Sequence, residues 1–274
     1  MLVHGSGPHD ADETIGALKP FRDLALGLAS RGVAVLRYEK RTRAHPRALP
    51  PNEWTLEEET IEDAVAACQL LRARTEIDPQ RILVAGHSLG GMAAPFIAAR
   101  DGKLAGMVLL AANARSVLDL LEEQTQYLAK LAGPPPEAVR KKLEAIREGI
   151  QAIRAGKLEG VTEKLGMPAP YLARLHQTDP VEAAKKLTLP ILVVQGGRDY
   201  QVTKADFDLW KKHLDGREQV TFKLYDDLNH AFVVGKGPSS PAEYQVRGHV
   251  DERVVQDLAE WIRALRTSPA RPGG

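Results

Sequence analysis

Six short runs rich in Val, Ile and Leu recur along the chain: residues 2–4 (LVH), 33–38 (VAVLRY), 81–86 (RILVAG), 106–112 (GMVLLAA), 190–196 (PILVVQG) and 220–225 (VTFKLY). A strand with one wet face alternates apolar and polar residues. Runs that stay apolar are buried on both faces, which calls for a mostly parallel sheet covered by helices on either side. Parallel strands need crossover connections, and the segments between these runs are long enough to be helices. The expected fold class is therefore α/β, with a sheet of about six strands. The 274 residues suffice for one large domain, or for a core with a smaller insertion.

The segments between the runs support this layout. Residues 20–30 (PFRDLALGLAS) read as a helix that Gly32 can stop. Residues 55–73 read as another, with Thr55 as cap and Glu58 at capping-box spacing. Its apolar stripe, Ile61, Ala64, Val65, Cys68 and Leu71, turns Cys68 toward the core, where nothing nearby favours a reactive thiolate. The last helix is expected at about 251–266, with Val254, Val255, Leu258, Ile262 and Leu265 on one side, followed by a disordered tail at 268–274. From about Ala114 to Leu187 no strand pattern occurs, only helical segments separated by Gly and Pro. Residues 114–187 are thus expected to be a helical insertion in a core built from 1–113 and 188–267.

Charge and composition narrow the function. The net charge of +1 does not favour a nucleic-acid partner, which would need many phosphates neutralised. The basic stretch RYEKRTRAHPR at 37–47 reads as a solvated loop. A single cysteine excludes a disulfide within the chain and suits a reducing compartment. No run approaches a membrane span, and no signal segment precedes the first loop, so a cytoplasmic protein without a membrane partner is expected.

The most informative stretch is RILVAGHSLGGMAAPFIAAR, residues 81–100. A buried strand ends, Gly86-His87-Ser88-Leu89-Gly90 follows, and a helix begins. This is G-x-S-x-G in the strand–turn–helix setting that gives the pattern meaning. So tight a turn strains the backbone at Ser88 and leaves no room for Cβ atoms two residues to either side, hence Gly86 and Gly90. The helix start aims free N–H groups at the same spot. The alternative is a structural Gly-Ser turn. A serine nucleophile needs a base, and the base needs a partner. Asp199 follows the run 190–196 in GGRDYQV, and His230 follows the run 220–225 in DDLNHAF. Both are strand C-terminal ends, where sites form in open parallel sheets. Asp226 and Asp227 compete for the role of acid but would have to fold back toward His230. His87 points elsewhere as a variable position of the motif. His4 and His9 can line the site, while His176, His213 and His249 read as packing or surface residues.

Together these stretches resemble the α/β-hydrolase superfamily: GHSLGG, GGRDYQV and NHAF, with the opening HGSG, occur in the order and on the elements that family uses. The resemblance runs from Val3 to the last helix. Within the superfamily, GSGPHDADETIG followed by KPFRDLALGLASRGVAVLRYEKRT is similar to a bacterial group of serine carboxylesterases, with Glu39 where that group mostly carries aspartate. It implies a triad of Ser88, Asp199 and His230, and an oxyanion hole of two backbone N–H groups, from Leu89 and from Ser6, with Gly7 the neighbouring candidate. Gly7, His87 and Tyr200 are read as substrate-facing. The insertion corresponds to the family's cap, whose Leu120, Leu121, Tyr127, Leu131, Tyr171 and Leu172 could wall an acyl pocket or simply pack the cap's own helices. In this family the strand before the opening loop is usually the third. With only Met1 to His4 before it, the sheet is expected to lack the first two strands and to leave 33–38 as an apolar edge, either because the chain starts late within a longer protein or because a partner covers the edge.

The implied activity is hydrolysis of a small-molecule carboxylic ester through an acyl-enzyme, with no cofactor. A thioesterase or small peptidase could use the same triad, and a ligand-binding protein could sit on the same scaffold without turnover. A metal site at His4, His9, Asp10, Asp12 and Glu13 fits no compact ligand spacing, and these acids are expected to bond the loop's own backbone instead. Oligomeric state is not legible in the sequence.

Overall fold

The apolar runs pair into one parallel sheet. In the computed structural model, which describes residues 1–47, 54–131, 133 and 136–265, five strands lie side by side in chain order: β1 (Leu2–Val3), β2 (Leu83–His87), β3 (Gly106–Leu110), β4 (Ile191–Gly196) and β5 (Val220–Tyr225). Every neighbouring pair is parallel. The crossovers carry α1 (Pro20–Ala29), α2 (Arg41–Ala44) and α3 (Glu62–Arg72) before β2, α4 (Leu89–Asp101) before β3, and α10 (Lys204–Leu214) between β4 and β5, while α11 (Glu252–Ala264) closes the chain. Between β3 and β4 run five helices, α5 (Val117–Leu131), α6 (Glu137–Arg154), α7 (Val161–Leu165), α8 (Ala169–His176) and α9 (Pro180–Lys185).

Successive strand residues feed opposite cores, as expected where both faces are covered. Val84, Met107, Leu109, Ile191 and Val193 pack with Cys68, Met92 and Trp210 from α3, α4 and α10. Ala85, Val108, Leu110, Leu192 and Val194 pack with Phe21, Leu24, Val254 and Leu258 from α1 and α11. Burial pushes the Cys68 thiol up to about 11, so it is an inert core group. The inserted helices build a small core of their own from Leu118, Ile150, Ile153, Val161, Ala169 and Leu172. The helix expected at 55–73 starts with a widened, π-type turn at Glu57–Ile61, and the Thr55 N–H donates to Glu58 Oε2 at 2.8 Å. Arg266 and the expected tail at 268–274 lie outside the described residues. No helix among the described residues is long and apolar enough to cross a membrane.

Two expectations change. The sheet has five strands rather than six, because residues 33–38 join it through one backbone bond, from the Leu2 N–H to the Leu36 carbonyl at 3.0 Å. The segment is extended, with Val33 and Val35 against one core and Leu36 and Tyr38 against the other. Its neighbour β1 is two residues long and forms its ladder with β2 on the opposite edge. The basic stretch 37–47 is also not simply a solvated loop. Lys40 is 2% exposed, Arg37 pairs with Asp12, and Arg41 pairs with Asp63 at 2.5 Å.

Candidate active site

The site is assembled at the C-terminal end of the sheet. Ser88 stands alone between β2 and α4, with φ 53° and ψ −118°. Its N–H donates to Leu110 O at 2.9 Å, extending the pairing with β3, while its carbonyl accepts from Met92 N at 3.0 Å in the first turn of α4. Serving strand and helix at once forces the left-handed φ, which a serine adopts only at a cost. The two motif glycines are sterically required. A Cβ on Gly86 would lie 2.1 Å from Gly90 O, and one on Gly90 would lie 2.2 Å from Val3 O. Ser88 Oγ carries no hydrogen bond among the described residues, and the Leu89 N–H, first in α4, has no acceptor within the helix.

Asp199 and His230 meet. His230 Nδ1 and Asp199 Oδ2 are 2.6 Å apart, and both side chains are buried. The carboxylate is held from every side: Oδ1 accepts the N–H groups of Gln201 at 2.8 Å and Val202 at 3.0 Å, and Oδ2 accepts Gln195 Nε2 at 3.1 Å. The competing acids are elsewhere, with Asp227 bound to Arg253 at 2.8 Å and Asp226 exposed. The turn bearing His230 is shaped by Asn229, whose Oδ1 accepts the Ala231 and Val233 N–H groups, each at 3.1 Å. Asn229 Nδ2 in turn donates to Glu243 at 3.0 Å. Gln195 and Asn229 escaped notice in the sequence. A signal existed in both cases, a polar residue closing an apolar strand and an amide directly before the histidine.

His87 lies between the two halves of the site. Its ring is 4.6 Å from the His230 ring, its Nε2 is 2.9 Å from the His230 carbonyl, and its Nδ1 is 3.0 Å from Glu13 Oε2. Both ring nitrogens are therefore directed at protein atoms. Burial opposes a charge on His87, but the Glu13 carboxylate outweighs it and raises the imidazole pKa. Glu13 is likewise resisted by burial, yet His87 holds its carboxyl below the usual range.

The opening loop presses on Ser88. A Cβ on Gly5 would come within 3.2 Å of Ser88 Cβ. The Gly5 N–H donates to Glu13 Oε1 at 2.6 Å, and the His9 ring lies 2.8 Å from the Ser6 carbonyl. The Ser6 N–H carries no hydrogen bond among the described residues, and Gly7 follows with φ 100°. Asp10 accepts from the N–H and hydroxyl of Thr14 at 2.8 and 2.6 Å, so it bonds its own loop. Burial drives His4 down to about 4, leaving it neutral at ordinary pH. Tyr200, beside Asp199, stacks on Tyr127 of α5 at 5.1 Å. Among the described residues, no group of three or more His, Cys, Asp or Glu side chains is placed to hold a metal ion.

A parallel sheet with a strained serine between its second strand and the following helix, and an Asp–His pair at the ends of later strands, is the arrangement of one protein class. The chain belongs to the alpha/beta hydrolase family, whose sequence profile matches residues 1–244. It is 43% identical over 262 residues to the esterase EstD of Thermotoga maritima, an alignment covering 96% of this chain and 61% of that protein. The chain thus spans less than two thirds of the length of that relative. Among solved structures, an esterase of Pyrococcus furiosus superposes with a TM-score of 0.59 at 14% identity, covering 96% of this chain and 81% of that one. A thermophilic esterase from Thermogutta terrifontis does so with 0.55 at 21% identity, covering 96% and 89%. At such identities the structural likeness speaks for the fold alone.

Proposed function

We propose that the chain is a serine hydrolase that cleaves carboxylic esters of small molecules through an acyl-enzyme. The observation that carries this reading is the 2.6 Å Asp199–His230 contact beside the strained turn at Ser88. The 43% identity to an esterase favours an ester over other acyl substrates. Ser88 Oγ attacks the ester carbonyl as His230 Nε2 takes its proton, while Asp199 accepts the Nδ1–H hydrogen bond and fixes the tautomer. The oxyanion is held by the N–H groups of Ser6 and Leu89, the second aided by the positive end of α4. Collapse of the tetrahedral intermediate expels the alcohol, which leaves with the proton from His230. A water then attacks the acyl-enzyme by the same route in reverse, releasing the acid. Gly7 and Tyr200 border the substrate, and the helices between β3 and β4 act as the cap. The buried Cys68 fits a cytoplasmic location.

The test is direct. Wild-type protein is expected to hydrolyse p-nitrophenyl acyl esters and to be labelled at Ser88 by a fluorophosphonate. Ser88→Ala is expected to lose the label and about four orders of magnitude or more of kcat. Full activity in that variant, or none in the wild type, overturns the reading.

A further inference from the structure

The peptide unit between Gly5 and Ser6 carries the N–H read above as an oxyanion donor. Its other polar end, the Gly5 carbonyl, accepts from Lys40 Nζ at 2.7 Å. Lys40 is 2% exposed. Its ammonium also meets Glu59 Oε1 at 2.5 Å, and the second oxygen of that carboxylate accepts the hydroxyl of Tyr171 from α8. A buried lysine is rare and costly unless paired. This one spends a proton on a backbone carbonyl one bond from the proposed oxyanion hole.

We propose that Lys40 is a positioning residue of the oxyanion hole, acting on the Ser6 N–H through the Gly5–Ser6 peptide; this rests on the serine hydrolase reading. Two effects follow from the chemistry. In a planar trans peptide, the C=O and N–H bonds point in opposite directions. Anchoring the Gly5 oxygen on Lys40 therefore sets the direction in which the Ser6 N–H points, and it removes the freedom that Gly5 and Gly7 would otherwise give the loop. A cation on the carbonyl oxygen also draws electron density through the amide, making the N–H a stronger donor to a developing negative charge. Both effects act in a dry interior, where charge is little screened. Glu59 and Tyr171 hold the ammonium in place and tie the oxyanion loop to the helices between β3 and β4. A structural ion pair alone would explain the burial, but it would not need the contact to Gly5.

The experiment compares the full chain with Lys40→Met and with Lys40→Met/Glu59→Gln, which removes both buried charges together. Folding is checked by far-UV circular dichroism and thermal unfolding. The readouts are kcat and KM on p-nitrophenyl acetate, and the pH at which the hemiketal formed by Ser88 with a trifluoromethyl ketone ionises, followed by NMR. The expected result is a kcat lower by roughly 10- to 100-fold, with KM changed by less than about 3-fold. The hemiketal should ionise about one pH unit or more higher, which is a tenfold weaker hold on the oxyanion. A folded double variant with kcat within about 2-fold of wild type and an unmoved hemiketal overturns the proposal. So does failure of both variants to fold, since the pair then serves the fold rather than the hole. Wild-type protein that forms no adduct and cleaves no ester instead overturns the underlying serine hydrolase reading.

Discussion

At the scale of single residues, buried charges tie the parts of the site together. Glu13 is fully buried and adopts a left-handed φ of 51°, two costs that persist only where the surroundings over-determine them. Its carboxylate joins the Gly5 N–H to His87, and His87 reaches the carbonyl of His230. The pair gives stability a pH signature. His87 titrates above the ordinary 6.5 in the folded chain, so its contribution is complete below 6.5 and is lost as pH rises through the raised value. Glu13 titrates below the ordinary 4.5, so its contribution is present above 4.5 and is lost as pH falls through the lowered value. The unfolding free energy of wild type, measured in urea from about pH 5 to about pH 9, is therefore expected to decline on the alkaline side. His87→Asn should decline less steeply. An identical slope in the two proteins would show that the contact does not bear on stability.

At the scale of elements, the turn between β2 and α4 works because three backbones converge where no Cβ fits. Gly90 lies against Val3 and His4 of the first strand and loop, and Gly86 against Gly90. Gly90→Ala is expected to push α4 away from β1 and cost about 2 kcal/mol or more of stability, read as a lower urea midpoint with an unchanged slope. The same variant should lose activity while still partly folded, since the shift displaces Ser88 from the opening loop. On the other side of the site, α5 leans on the loop carrying Asp199. Gln124 Nε2 donates to the Gln201 carbonyl at 2.7 Å, and the Tyr127 hydroxyl donates to the Ser239 carbonyl at 2.7 Å. The stacking of Tyr127 on Tyr200 adds to this contact.

At the scale of the whole molecule, the inserted helices touch the core on both sides of the site, α5 at the acid loop and α8 through Tyr171 at Glu59. On the serine hydrolase reading, a segment held on both sides of the site is suited to bounding the acyl group. Tyr127→Ala, which opens one anchor, is expected to change the dependence of kcat/KM on p-nitrophenyl ester chain length, with longer acyl groups gaining relative to acetate. Parallel curves for wild type and variant would mean that α5 packs but does not select. The apolar edge at 33–38 is a second feature of this scale. It holds the sheet by a single bond to β1, and its other backbone edge makes no strand pairing among the described residues.

What the sequence determined by itself is what short-range rules control. Runs rich in Val, Ile and Leu call for strands with covered faces, and five of the six became strands, four of them buried and β5, at the sheet edge, only partly so. Gly86 and Gly90 announce a turn no other residue permits, and polar residues just past strand ends place Asp199 and His230 where a parallel sheet gathers its loops. The inserted helices between β3 and β4 were legible from the missing strand pattern. The tertiary structure alone decided which charges are buried. Lys40, read in its basic stretch as solvated, finds Glu59 19 residues away, and Glu59 finds Tyr171 112 residues away. Nothing local distinguishes Glu59 from its acidic neighbours in LEEETIED, or Lys40 from the arginines around it. A charge can leave water only where a distant partner meets it. The single bond by which 33–38 meets the sheet was likewise decided in space, since pairing depends on how a neighbouring strand lies and not on the apolar pattern of the run itself.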